Sequence, residues 1–358
     1  MLYDYSSVYS GLNRTVDYIR SLLSTMPTEK LFSGAVDSHE TLEIEDDLEA
    51  LDFIPAQAGD KHHLRCAAID GGQGRIASNS LFTCAVYRAG LVVFDGRRRV
   101  AESIGNLHLA NLNSATYRDL YAKQYRDLYN SYPAEFPAFS ESLNELRHLR
   151  ENAMIADAVA TLETGDMLLL DGSFRAGSDD EHRFLKAVAG QARAKNIDIV
   201  AVSKASALIW QGGASLVGVI KKLGNERCKN SNWYVKIGSD YPDQPDRRLK
   251  DIYVARMSPY SSQAYRIDIY INNSRSADEL FEALGFLSSD PFFSGYPYPL
   301  AAVHQAVRLS EEELLGLRIR LKQVAVEAGV SDDEWSLLFE DYHDTLNYDL
   351  QTSKYIPG

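Results

Sequence analysis

Two apolar runs in this chain close in the same way: residues 64–69 lead into Asp70-Gly71-Gly72, and residues 167–170 into Asp171-Gly172-Ser173. A short apolar run is the signature of a buried strand, and Asp-Gly supplies the backbone conformations that a tight turn requires. A carboxylate in that place stands on a rigid element and at the rim of its sheet. Asp-Gly is a common turn dipeptide, so either one alone says little. Two of them in one context point to a sheet that gathers acidic side chains from distant parts of the chain.

The surrounding pattern supplies the rest of such a sheet. Residues 78–87 and 91–94 read as two further strands separated by Arg88, Ala89 and Gly90, which gives a three-stranded antiparallel meander. Gly71-Gly72-Gln73-Gly74 is expected to be its first hairpin. It is not a phosphate loop, since it lacks the Gly-Lys-Ser/Thr ending and leads into a strand. Helical sequence covers 114–129 and 140–163, then comes the strand at 167–170, a helix at 181–195, and a strand at 197–202 that ends in Ser203-Lys204. Three strands, helix, strand, helix, strand is the order of a ribonuclease H-like α/β core, a mixed sheet flanked by helices. Beyond it, strands are expected at 233–237, 252–257 and 265–271, and helices at 276–286, 300–309, 311–328 and 332–342, with an irregular tail from Asn347. Before it, Leu12, Val16, Ile19, Leu22 and Leu23 recur at helical spacing over 8–26, followed by an acidic surface stretch at 40–51. The expected division is 1–60, an N-terminal helix and acidic segment; 61–310, the core with insertions; and 311–358, C-terminal helices and tail.

With 358 residues, 45% of them apolar, the chain has enough material for one elaborated catalytic domain. Asp4, Arg14, Asp17 and Arg20 interrupt the start where a signal peptide would be apolar, and no run is long enough to span a bilayer, so a soluble cytoplasmic protein without membrane association is expected. Cys66, Cys84 and Cys228 lack zinc-site spacing and read as core residues. The formal net charge of −13 argues against a protein that coats nucleic acid. Local basic groups remain, at Arg97-Arg98-Arg99, at Lys221-Lys222, and at Arg247, Arg248 and Lys250. His62 and His63 are adjacent and would face opposite sides of a strand, which disfavours joint metal binding.

Glu151 is a third acidic candidate. It lies on the helix whose apolar face runs through Leu143, Leu146, Leu149, Met154 and Val159, with Glu145 and Asp157 as rivals on the same helix. Three carboxylates around one point repel unless divalent cations neutralise them. Oxygen ligands without cysteine suit Mn²⁺ or Mg²⁺, and a pair of such ions suits in-line phosphodiester hydrolysis.

The chain resembles the NurA family of DNA-end-processing nucleases in Ile69-Asp70-Gly71, in the helical Glu151, in Leu169-Leu170-Asp171-Gly172-Ser173, in Ala201-Val202-Ser203-Lys204, and in Tyr296-Pro297-Tyr298-Pro299-Leu300 followed by His304. These segments occur in the family's order; Gly71-Gly72 stands where the family often has Gly-Ser. The resemblance implies a manganese-preferring exonuclease or single-strand endonuclease active in DNA repair and end resection. It makes Asp70, Glu151 and Asp171 metal ligands and His304 a further ligand or proton-transfer residue. It also implies action on DNA single strands and ends, a homodimer, and partnership with a HerA-like hexameric translocase. Lys204, directly after its strand, is a candidate to contact the scissile phosphate, and Tyr298 to orient that phosphate or stack on a base.

Two other readings use the same residues. An actin-like or sugar-kinase-like ATPase also carries Asp-Gly at strand ends, but it repeats its core and only one copy is present here. A non-catalytic structural adaptor of a translocase has no need of the acidic set. Finally, Tyr117, Tyr121, Tyr125 and Tyr129 lie along one helical stripe, which either packs its rings inward or offers a stacking platform for unpaired bases.

Overall fold

The computed structural model describes residues 42–339 apart from 46, 57–63, 80–81, 205, 207, 211–213, 230, 242–246 and 294. The expected helix at 8–26, His62-His63 and the tail from Asn347 lie outside the described residues. Strands β1 (Leu42–Ile44) and β2 (Ile54–Ala56) precede β3 (Arg65–Ser78), β4 (Phe82–Asp95), β5 (Arg98–Ile104) and β6 (His108–Asn113). Helices α1 (Tyr117–Tyr129) and α2 (Ser142–Thr161) lead to β7 (Met167–Asp171), α3 (Asp179–Ala194), β8 (Asp198–Ser203) and α4 (Leu216–Arg227). Then come β9 (Asn232–Asp240), β10 (Lys250–Arg256), β11 (Tyr265–Tyr270), α5 (Ala277–Leu287), α6 (Tyr298–Val307), α7 (Glu311–Glu327) and α8 (Asp332–Phe339).

The chain forms two compact units. One comprises Met1–Ala68, Phe94–Arg98 and Thr161–Ala301, the other Ile69–Val93, Arg99–Ala160 and Ala302–Gly358. The first holds a mixed sheet. β7 and β8 are parallel, joined through α3, while β8 to β11, β11 to β10 and β10 to β9 are antiparallel. β1 and β2 pair with successive parts of β9. Met167–Leu170 and all of β8 are buried, as strands covered on both faces must be, which explains their unbroken apolar sequence. The core behind β9 and β10 is built around Trp210, Trp233, Ile220 and Ile252. α4 approaches it so closely at Gly224 that a Cβ there would lie 2.5 Å from the Trp233 ring.

The second unit contains β3 from Ile69 onward, with β4 and β5 following in strand order and β6 antiparallel to β4. The tyrosine stripe of α1 settles inward. Tyr117, Tyr121 and Tyr125 are buried with Tyr87, Leu143, Leu146 and Leu149, and Tyr125 meets Tyr129 edge-on at 4.6 Å, so packing rather than base stacking occupies these rings. α7 starts on a capping box, Ser310 with Glu313, which satisfies its first orphan amides.

Three expectations need correction. The hairpin at Gly71-Gly72-Gln73-Gly74 does not exist, because β3 runs straight through it to Ser78. Arg88, Ala89 and Gly90 likewise lie within β4 rather than between two strands. The glycines have another purpose. None of Gly71, Gly72, Gly74 or Gly90 has positive φ, and each is met closely by a neighbouring group: Gly71 by Glu151 and Arg147, Gly72 by the Val307 carbonyl, Gly74 by Leu314, and Gly90 by Val307 and Ile104. They are places of close approach, not turns. The third correction is of omission: the sequence gives no sign of β1, β2, β5, β6 or α4. β5 is exposed over nearly its whole length and has no apolar alternation to read. Among the described residues, no helix is long and apolar enough to cross a membrane.

Candidate metal centre

In the second unit, β3 presents Asp70 and α6 presents His304. The Asp70 side chain is 6% exposed and that of His304 51%. His304 Nδ1 lies 2.7 Å from Asp70 Oδ2, and the Gly71 amide donates to Asp70 Oδ1 at 2.7 Å. If Nδ1 carries the proton and donates it, the Nε2 lone pair remains as the base of the ring. The carboxylate is thus held through both of its oxygens, by a backbone amide and by an exposed imidazole.

Glu151 approaches the same strand from α2. Its Oε1 accepts from Arg147, and its Oε2 lies 3.6 Å from His148 Nδ1. A Cβ on Gly71 would fall on that carboxylate, so the glycine is what admits it. Successive residues of a strand point to opposite faces. Glu151 thus meets β3 on the Gly71 face, whereas His304 bonds to Asp70 and the end of its helix meets Gly72, both on the other face. Asp70 and His304 are brought together; Glu151 reaches the neighbouring residue from behind.

In the first unit, Asp171 ends β7, and the turn expected after it is real: Gly172 has φ +108° and its amide donates to Val202 O at 3.0 Å. Lys204, one residue beyond β8, donates to Asp171 Oδ2 at 2.6 Å. Tyr296 donates its hydroxyl to Asp171 Oδ1 at 3.2 Å, and the Lys204 ammonium lies 5.1 Å from the centre of the Tyr296 ring, within cation–π range. Tyr298 sits elsewhere. It is buried, its hydroxyl donates to Gly96 O, and its ring stands edge-on to Phe94. Burial pushes its phenol above the ordinary range. The tyrosine that reaches an acidic candidate is Tyr296, to which the sequence alone assigns no role.

The basic groups seen in the sequence are largely engaged. Arg247 pairs with Asp179 and Arg248 with Asp251. Lys250 is wholly buried, 3.0 Å from Asp268 and 2.6 Å from Phe174 O. Arg266 binds both oxygens of Asp268, at 2.7 and 2.9 Å, and Asp268 accepts the Phe174 amide at 3.1 Å. This buried cluster grips both peptide groups of Phe174, three residues after Asp171.

Among solved structures, the chain is similar to the NurA nuclease from Sulfolobus solfataricus, with a TM-score of 0.51 and 13% identity over 93% of this chain and 99% of that one. The fold is that of a NurA nuclease. Weaker likenesses are to Ciona intestinalis Endonuclease V in complex with an inosine-containing 23mer DNA, with a TM-score of 0.39 and 14% identity over 74% of this chain and 92% of that one, and to human Endonuclease V, with a TM-score of 0.35 and 14% identity over 73% and 91%. No family model matches the chain, and no curated protein does. That likeness agrees with the ribonuclease H-like mixed sheet and its flanking helices.

Proposed function

We propose that this chain is a divalent-metal-dependent nuclease that hydrolyses DNA phosphodiester bonds, with Asp70, Asp171 and His304 as metal ligands and Glu151, on the other face of β3 against Gly71, as the carboxylate that supports the strand beside Asp70. The observation that carries the reading is the buried Asp70 carboxylate held 2.7 Å from the exposed His304 imidazole, on a strand whose next residue is a glycine overlain by a second carboxylate. The donor set fits a hard cation: carboxylate oxygens and one imidazole, graded from buried Asp70 through half-buried Asp171 to exposed His304, with all three cysteines buried and free. Such donors suit Mn²⁺ or Mg²⁺ rather than a thiolate zinc site. Bound there, a pair of these ions supplies Lewis-acid activation of water and neutralises charge at the scissile phosphorus.

The remaining roles belong to the chain. Asp70 is kept in one orientation by the Gly71 amide and His304. Lys204 pairs with Asp171 and is the cation we assign to a phosphate oxygen. Tyr296, bonded to Asp171 and lying against Lys204, orients both. Tyr298 anchors the first turn of α6 through Gly96 and is assigned to that support rather than to the phosphate. On the motif resemblance to the NurA family we extend the proposal to a cytoplasmic homodimer acting on DNA single strands and ends with a HerA-like hexameric translocase, in end resection.

The test is digestion of end-labelled single- and double-stranded DNA with manganese or magnesium, comparing the unaltered chain with Asp70→Asn and Asp171→Ala. Loss of hydrolysis in both variants, with circular dichroism unchanged, is the expected result. Cleavage at full rate by Asp171→Ala would remove Asp171 from the mechanism, and an unaltered chain inert on every DNA form with either metal would overturn the nuclease reading.

A further inference from the structure

We propose that Arg88 is a positioning residue for His304: its guanidinium caps the carboxyl end of α6 and so fixes the imidazole against Asp70. The consequence for metal binding rests on the reading above; the capping geometry does not.

α6 ends at Val307, and only Arg308 and Leu309 separate it from Ser310, the N-cap of α7. No glycine follows to close the helix in the usual left-handed fashion. The last carbonyls of a helix have no donor within it, and two residues before the next N-cap leave little room to supply one. Arg88, from the middle of β4, reaches across. Its Nε donates to Val307 O at 3.0 Å, and its Nη2 donates to Ala306 O at 3.3 Å and to Arg308 O at 3.0 Å. One planar cation thus satisfies three consecutive carbonyls and sets positive charge at the negative end of the helix dipole.

The seat beneath that cap is equally specific. A Cβ at Gly72 would fall on the Val307 carbonyl, and one at Gly90 would lie 2.6 Å from Val307 Cγ1. Two bare positions on β3 and β4 therefore receive the end of α6, and Arg88, two residues before Gly90, locks it down. His304 is one helical turn before Val307, and its carbonyl accepts from the Arg308 amide at 3.0 Å. With the helix end fixed in depth and rotation, the ring is delivered to Asp70. Without the cap, the last turn of α6 is free to fray and the imidazole loses its fixed direction. Outer groups that orient a metal-ligating histidine typically govern about 10–100-fold of metal affinity.

The experiment uses the full-length chain and three substitutions: Arg88→Met, Arg88→Lys and, as control, Asp70→Asn. Two quantities are measured: the ¹H–¹⁵N correlations of the His304 ring without metal, which report its hydrogen bond to Asp70, and Mn²⁺ affinity by calorimetry. Arg88→Met is expected to lose the hydrogen-bonded ring signature and to bind Mn²⁺ about 10–100-fold more weakly. Arg88→Lys, which keeps the charge but cannot span three carbonyls, is expected to fall between and remains informative if the methionine variant fails to fold. A folded Arg88→Met chain with an unchanged ring signature, even at lower melting temperature, would overturn the inference. Unweakened Mn²⁺ binding by Asp70→Asn would instead count against the metal reading, leaving the ring signature to decide the role of Arg88.

Discussion

At the level of single residues, the two glycines after Asp70 separate stability from site geometry. A methyl group at Gly72 meets a backbone carbonyl, which cannot swing aside, so Gly72→Ala is expected to cost about 1–3 kcal/mol or more of unfolding free energy, measured by urea titration. At Gly71 the obstacle is the far end of Glu151, with Arg147 beside it. Gly71→Ala should therefore lower the urea midpoint less than Gly72→Ala, while displacing the Glu151 carboxylate and weakening Mn²⁺ binding in calorimetry. Equal losses of stability with unchanged metal affinity would dissociate Glu151 from the site. The sequence made Asp70 and Asp171 visible as acids after apolar runs and Glu151 as an acid beside a helix's apolar face, while His304 entered through the resemblance to a family. It did not separate Tyr296 from Tyr298: both lie in one Tyr-Pro-Tyr-Pro segment, and only the fold decides which hydroxyl meets a carboxylate and which meets a carbonyl.

At the level of elements, strand and helix types were legible wherever burial imposes a period or an unbroken apolar run, as in β7, β8, β9 and α2. The reading failed where glycine serves contact rather than turning, as in β3 and β4, and where an edge strand such as β5 buries nothing. The loop after β7 depends on neighbours far away in sequence: Asp268 on β11 and Lys250 on β10 hold Phe174. Burial pushes the Asp268 carboxyl upward, but Lys250 and Arg266 beside it outweigh burial and hold it below its ordinary value of 3.8. A depressed acid stabilises the fold above its unfolded-state pKa, and that stabilisation is lost as pH falls through the folded value. Stability should therefore decline below about pH 4, and Asp268→Asn should flatten that part of the acid profile. Asp268→Ala, which removes the carboxylate shared by two buried cations, is expected to cost about 3–5 kcal/mol at neutral pH, read from denaturant unfolding.

For the whole molecule, the sheet class and the run α1, α2, β7, α3, β8 followed from the sequence, whereas the division into two units, each built from separate chain segments, did not, because it depends on contacts between segments far apart in the chain. Cys66, Cys84 and Cys228 are all buried and free, and burial pushes each thiol above its ordinary value. A thiol reagent at pH 8 should leave all three untouched in the native protein and modify all three in denaturant; rapid labelling of any one under native conditions would contradict the core described here. A last consequence comes from β3. Where most central strands hold their place by interdigitating side chains, this one has bare positions at Gly71, Gly72 and Gly74, filled by groups from α2, α6 and α7. Its amides are thus sheltered by borrowed atoms, and hydrogen exchange there should follow the partial undocking of whichever helix leaves first rather than complete unfolding of the chain.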